Sequence, residues 1–182
     1  MRITGGTARG WTLKTPVGQD IRPTSDKVRL AIFNALFSRG GVAGKIVLDA
    51  FCGTGALGCE ALSHGAAKAI FCDISKVSLN LAKENVAALG FTDRSEFILK
   101  DATKLGVRPT TMPPANIIFL DPPYCKGLIT PTLDVLKSGG WLADRAIIVI
   151  EIEGEASSPQ GYGEIVFDKT YGETRVTFLK ID

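Results

Sequence analysis

One histidine, His64, stands in 182 residues. Mechanisms that need two imidazoles are excluded at the outset, and so are the usual histidine-bearing zinc sites. The four cysteines, Cys52, Cys59, Cys72 and Cys125, form no close CxxC pair, so no bound metal is expected. Apolar neighbours mark Cys52, Cys59 and Cys72 as small buried thiols, which suits a reducing compartment. No apolar run approaches the roughly 20 residues of a membrane span. Met1-Arg2-Ile3-Thr4-Gly5-Gly6 lacks the apolar core of a signal peptide, so a cytoplasmic protein without membrane contact is expected. Neither sign of charge dominates, with 21 Lys and Arg against 19 Asp and Glu. What is present, 45% hydrophobic and 22% charged residues, describes a globular chain long enough for one domain with a sizeable core.

The near-neutral total hides an asymmetry. Residues 1–45 hold Arg2, Arg9, Lys14, Arg22, Lys27, Arg29, Arg39 and Lys45 against only Asp20 and Asp26. A basic front on a near-neutral body points to a polyanion contact. Arg2–Thr4 and Trp11–Lys14 flank Gly5-Gly6…Gly10, which predicts a small two-stranded β-ribbon. The chain accordingly divides into a basic extension, 1–23, and a main domain, 24–182.

From residue 45 onward, β-rich apolar runs alternate with helical spacing. Strands are predicted at Lys45–Ala50, Lys68–Asp73, Glu96–Lys100, Asn116–Asp121, Ala146–Glu151, Glu164–Asp168 and Thr174–Ile181. Helices are predicted at Ala56–Ser63, at Ser75–Leu89 and within Gly127–Lys137, after an earlier one capped by Ser25 or Thr24. Alternation of this kind means βαβ units and a parallel sheet. Only Lys169–Glu173 separates the last two strands, so they form a hairpin and the last strand runs antiparallel. The expected fold class is α/β, a seven-stranded doubly wound Rossmann-like sheet.

Asp121-Pro122-Pro123-Tyr124 closes the fourth strand. The prolines stiffen the turn and leave the Pro122 carbonyl without a ladder partner. Asp121 and that carbonyl can accept from an NH2 group while the Tyr124 ring stacks on a flat base. This is the equipment of an enzyme that methylates an exocyclic base nitrogen. A packed edge turn would also account for four residues, so a cofactor site has to decide.

Asp49-Ala50-Phe51-Cys52-Gly53-Thr54-Gly55-Ala56-Leu57-Gly58 runs from the first strand into a helix. Its Gly53-x-Gly55-x-x-Gly58 spacing, with Asp73 beyond, also fits a dinucleotide fingerprint. Two observations bear on the choice. Asp49 at the strand end would attract the sulfonium and ammonium of S-adenosyl-L-methionine and repel a pyrophosphate. Asp73 can take two ribose hydroxyls, which serves either cofactor. Asp101 and Ala102, after the third strand, can flank an adenine. The predicted cofactor set is Asp49, Phe51, Gly53, Thr54, Gly55, Ala56, Asp73, Ile74, Asp101 and Ala102, with Gly55 admitting close backbone approach. The predicted catalytic set is Asp121, Pro122, Pro123 and Tyr124.

The glycine loop and Asp-Pro-Pro-Tyr together resemble class I methyltransferases acting on amino groups. Arg2-Ile3-Thr4-Gly5-Gly6…Arg9-Gly10, Arg22-Pro23-Thr24…Arg29…Phe33-Asn34 and Tyr171-Gly172-Glu173-Thr174 narrow the resemblance to bacterial 16S ribosomal RNA guanine-N2 methyltransferases of the RsmD type. Cys52 departs from the alanine common there, and Tyr124 replaces the Phe of some relatives. The resemblance implies methylation of N2 of one guanine, guanine 966, in the small-subunit RNA or its assembly intermediate. It also implies a basic ribbon that grips RNA, for which Arg2, Arg9, Lys14, Arg22 and Arg29 are the candidates. Adenine-N6 methylation of DNA is the alternative chemistry for the same motif, and a dinucleotide-dependent oxidoreductase the more distant one.

Overall fold

The computed structural model describes residues 1–18, 25–124 and 126–182. Seven strands form one sheet: β1 (Ile46–Asp49), β2 (Lys68–Asp73), β3 (Ser95–Leu99), β4 (Ala115–Leu120), β5 (Leu142–Glu153), β6 (Glu164–Tyr171) and β7 (Thr174–Lys180). Their spatial order is β3-β2-β1-β4-β5-β7-β6. The first five are mutually parallel, and β7 is antiparallel to both neighbours. The last strand therefore lies inside the sheet, between β5 and β6, with β6 at the edge.

Alternation along the strands sorts their side chains into two cores. Val47, Phe71, Phe119, Val149 and Phe178 pack against α1 (Asp26–Phe37), α2 (Ala56–Ser63) and α3 (Lys76–Ala88). Leu48, Ile70, Ile118, Ile148 and Leu179 pack against α4 (Ile129–Ser138), Leu105 and the fully buried Trp141. The two faces are covered unequally. Between β3 and β4 there is only a 3-10 turn, Ala102–Lys104, because Gly106, Pro109, Pro113 and Pro114 leave no stretch fit for a helix.

Local sequence explains the helix starts. Ser25 Oγ accepts from Val28 N at 3.2 Å and Ser75 Oγ from Ser78 N at 3.2 Å, each satisfying an orphan amide of a first turn. Thr24, the other candidate cap for α1, lies outside the described residues.

The front end differs from the predicted ribbon. Arg2 and Thr12 form one isolated antiparallel bridge, with Ile3 N donating to Trp11 O at 2.9 Å and Leu13 N to Met1 O at 2.9 Å. The ladder goes no further because α2 claims its donors. Thr4 N and Gly5 N donate to Glu60, and Ala8 N donates to Ser63 Oγ. Ile3, Ala8 and Leu13 are buried in the core beneath α1–α3. The segment is thus docked on the main body. Among the described residues no helix is long and apolar enough to cross a membrane.

Candidate active site

The carboxyl ends of β1–β5 open into a cleft of about 890 Å3, within the range of small-molecule sites. Register fixes how its acids are layered. Asp49 pairs with Phe71 and Phe119, and Phe119 with Val149. Asp73, Asp121 and Glu151 therefore stand two residues further up, on the same face of the pleat, while Asp49 lies at the floor.

Asp49 is 1% exposed. Its Oδ2 accepts from Gly58 N, in the first turns of α2, at 3.0 Å, whereas Oδ1 has no hydrogen-bond partner. Burial, reinforced by the nearby Asp121 and Asp73, pushes its carboxyl up to about 7, against the pull of the Gly58 amide. Such a group gains most from a cation laid against it. Asp73 is held from both sides, Oδ2 by Gly53 N at 2.9 Å and Oδ1 by Ser75 N at 2.8 Å. A carboxylate has lone pairs to spare beyond those two bonds, so its position suits paired hydroxyls. Asp101 caps the 3-10 turn, its Oδ1 accepting from Thr103 N at 2.9 Å and Thr103 Oγ1 at 2.7 Å. The Thr103 hydroxyl and amide hold that carboxyl below its usual range.

The glycine loop is braced from behind. Asn85 of α3 is 2% exposed. Its Nδ2 donates to Thr54 O at 2.9 Å and Lys14 O at 3.1 Å, and its Oδ1 accepts from Lys14 N at 2.8 Å. One side chain thus joins the cofactor loop to the N-terminal segment. On the other side of the cleft, Tyr124 Oη lies 3.1 Å from Thr174 Oγ1, which ties the Asp-Pro-Pro-Tyr turn to the start of β7.

All the predicted catalytic residues line the cleft, Asp121, Pro122, Pro123 and Tyr124. So do Asp49, Phe51, Gly53, Thr54, Ala56, Asp73, Ile74, Asp101 and Ala102. Gly55 does not. It has φ +81, and a Cβ there would stand 3.0 Å from Ala82 Cβ of α3, so a glycine is needed for the turn and for packing. The open approach belongs to Gly53, φ +52, where a Cβ would meet nothing within 4 Å.

Arg29 needs a correction as an RNA contact. Its side chain is fully buried, with Nε donating to Glu60 Oε2 at 2.9 Å and a terminal nitrogen to Asp26 Oδ1 at 2.8 Å. A guanidinium enclosed in this way neutralises a buried acid and cannot reach a phosphate. Arg2, Arg9 and Lys14 are exposed but lie outside the cleft lining, and Arg22 falls outside the described residues.

Sequence reasoning passed over Glu151, Glu173 and Lys126, all of which line the cleft. Glu151 ends the fifth predicted strand, and the rule that selected Asp49, Asp73 and Asp121 applies to it equally. Glu173 sits within Tyr171-Gly172-Glu173-Thr174, a motif noted but given no role.

Asp49, Asp73, Asp101, Asp121, Glu151 and Glu173 line the cleft beside one basic side chain among the described residues, Lys126. That lining, with the unpartnered Asp49 oxygen at its floor, fits the cationic S-adenosylmethionine and opposes a pyrophosphate. Fold and site together define a class I S-adenosylmethionine-dependent methyltransferase. A family model described as "Conserved hypothetical protein 95" matches residues 1–180. The "Ribosomal RNA small subunit methyltransferase D" of Escherichia coli (strain K12) is 37% identical over 159 residues, 87% of this chain and 78% of that protein. The YlbH protein of Bacillus subtilis (strain 168) is 34% identical over 185 residues, 99% of this chain and 98% of its own length. The solved structure of yhhF from Escherichia coli superposes with a TM-score of 0.85 at 33% identity, covering 100% of this chain and 98% of that one. The chain belongs to this family, the RsmD-type methyltransferases.

Proposed function

We propose that this protein methylates ribosomal RNA of the small subunit, on the exocyclic N2 of one guanine. The relatives named as small-subunit ribosomal RNA methyltransferases support the RNA substrate. The observation that carries the amino-group chemistry is Asp121-Pro122-Pro123-Tyr124, standing in the same cleft as the cation-seeking Asp49.

When bound, S-adenosylmethionine supplies an electrophilic methyl group on sulfur. Asp49 at the floor would face the donor's positive charge, Asp73 would hold the ribose, and Asp101 with Ala102 would flank the adenine. The guanine has to leave its stack to enter. Tyr124, steadied by Thr174, offers the ring face on which it lies. Asp121 and the Pro122 carbonyl would accept from the two N2 hydrogens and so turn the nitrogen lone pair toward the donor.

Guanine N2 is a poor nucleophile because its lone pair is conjugated into the ring. Two acceptors favour a pyramidal nitrogen and stabilise the positive charge that grows there. The N2 proton leaves after transfer, to Asp121 or to water. Positioning supplies much of the rate, since no covalent intermediate on the protein is needed.

The test is incubation with labelled S-adenosylmethionine and small subunits lacking guanine-N2 methylation, followed by mapping of the label. Label on N2 of a single guanine is the expected result. Label on adenine N6, or none despite donor binding, would sink the guanine reading and leave the methyltransferase fold in search of another amino group.

A further inference from the structure

Asp121 accounts for the amino group of the target, but an amino group alone does not distinguish guanine from adenine. A second acceptor stands beside it. Leu120 pairs with Ile150 across β4 and β5, so Asp121 and Glu151 follow at the same level, one strand spacing of about 4.8 Å apart. Both lie on the same pleat face as Asp49, and both line the cleft. Glu151 is 2% exposed.

Ionised carboxylates only accept hydrogen bonds. Guanine carries two kinds of donor side by side on one edge, the N2 amino group and the N1–H. Adenine, with its amino group in the same place, would present the bare N1 lone pair instead. A carboxylate beside the acceptor of the amino group would meet whichever of these the base brings.

We propose that Glu151 reads the N1–H of the target guanine and is the residue that excludes other amino-bearing purines. This rests on the guanine-N2 reading above. The strand geometry supplies its physical basis: Asp121 and Glu151 form a pair of acceptors matched to adjacent donors of one base edge. A mismatched base leaves a buried carboxylate facing a lone pair, and sites built on such hydrogen bonds discriminate strongly.

The test uses 2-aminopurine in place of the target guanine, in ribosomal RNA reconstituted into small subunits. 2-Aminopurine keeps the N2 amino group and lacks both the N1 hydrogen and O6. Wild-type protein should methylate guanine at least about 100-fold faster. In Glu151→Gln the amide can turn its NH2 toward N1, so the preference should shrink about tenfold or more. Loss of O6 affects both proteins alike and cancels in that comparison. If Glu151 only holds the strands together, both rates fall by one factor and the unchanged ratio overturns the proposal. Equal wild-type rates on the two bases overturn it without recourse to the variant. Absence of label on guanine N2 in unsubstituted subunits overturns the guanine reading itself, an outcome distinct from an unchanged ratio.

Discussion

Asp49 is both a stability problem and the feature that best suits the site to a cation. Its unfolded-state pKa is near 3.9, and burial raises the folded value to about 7. A raised folded pKa means that the native state binds the proton more tightly. The resulting stabilisation is complete below about pH 4 and is lost as pH rises through about 7. At pH 8 the donor-free protein therefore carries a buried, ionised and half-partnered acid. Asp49→Asn should raise the melting temperature at pH 8, by the equivalent of about 1–3 kcal/mol after relaxation, and change it little at pH 5. S-adenosylmethionine affinity should respond in the opposite sense. It should rise in the wild type between about pH 5.5 and 7.5, as Asp49 ionises. In the variant it should be weaker and nearly flat. Thermal melts and calorimetric titrations at the two ends of the range decide this. An equal melting shift at both pH values would mean that packing, and not the charge, sets the cost.

The glycine loop shows how much of the fold could be read from the sequence. Helix α2 appears over the predicted residues because Gly53 and Gly55 make the turn after β1 and an alanine- and leucine-rich run follows. Gly58, the third glycine of that spacing, is where the helix packs closely on a strand. A Cβ there would stand 2.3 Å from Phe71 Cε1, in a ring that is fully buried and stacked on Phe97 at 5.2 Å. The close approach of α2 to β2 also brings the Gly58 amide to Asp49. Gly58→Ala should cost about 1–3 kcal/mol in urea unfolding and weaken donor binding together with it. Phe71→Leu in the same chain should recover part of both losses. Failure of that second change to rescue either would remove Phe71 as the cause. Asp49, Asp73 and Asp121 were legible because each follows an obvious β-rich run. Glu151 also closes a β-rich run and was equally open to that rule, but its place level with Asp121 depends on β5 lying beside β4, and spatial order is not written in residue spacing. Strand β5 itself begins at Leu142, earlier than predicted, since Asp144 and Arg145 interrupt the apolar pattern. The irregularity is real, with Arg145 at φ 58 and a register shift opposite Asn116.

The charge asymmetry of the whole chain is smaller at the surface than in the sequence. Arg29 is buried against Glu60, and Arg39 donates to Ala35 O and Val166 O while lying 5.2 Å from the Phe167 ring. Lys14 is exposed but pairs with Glu84 at 3.0 Å. Among the described residues, no acidic side chain lies in salt-bridge reach of Arg2 or Arg9 on the N-terminal turn. They sit on a segment that Glu60, Ser63 and Asn85 hold rigidly beside the cofactor loop. A phosphate gripped there would be held in a fixed place relative to the cofactor loop. Each contact with a single-stranded backbone should contribute about 0.7 to the slope of log affinity against log salt. Replacing Arg2 and Arg9 by Gln should therefore flatten the slope by roughly 1–1.5, and S-adenosylmethionine affinity should stay as it was. Arg29→Gln should behave differently, lowering thermal stability because Glu60 is left as an uncompensated buried charge, with no specific change in salt slope. Filter binding of small-subunit RNA across a salt series, beside a thermal melt of each variant, separates the two. An unchanged slope in the Arg2 and Arg9 variant would return the N-terminal turn to a purely structural part, clamped to α2 for the sake of the core it covers.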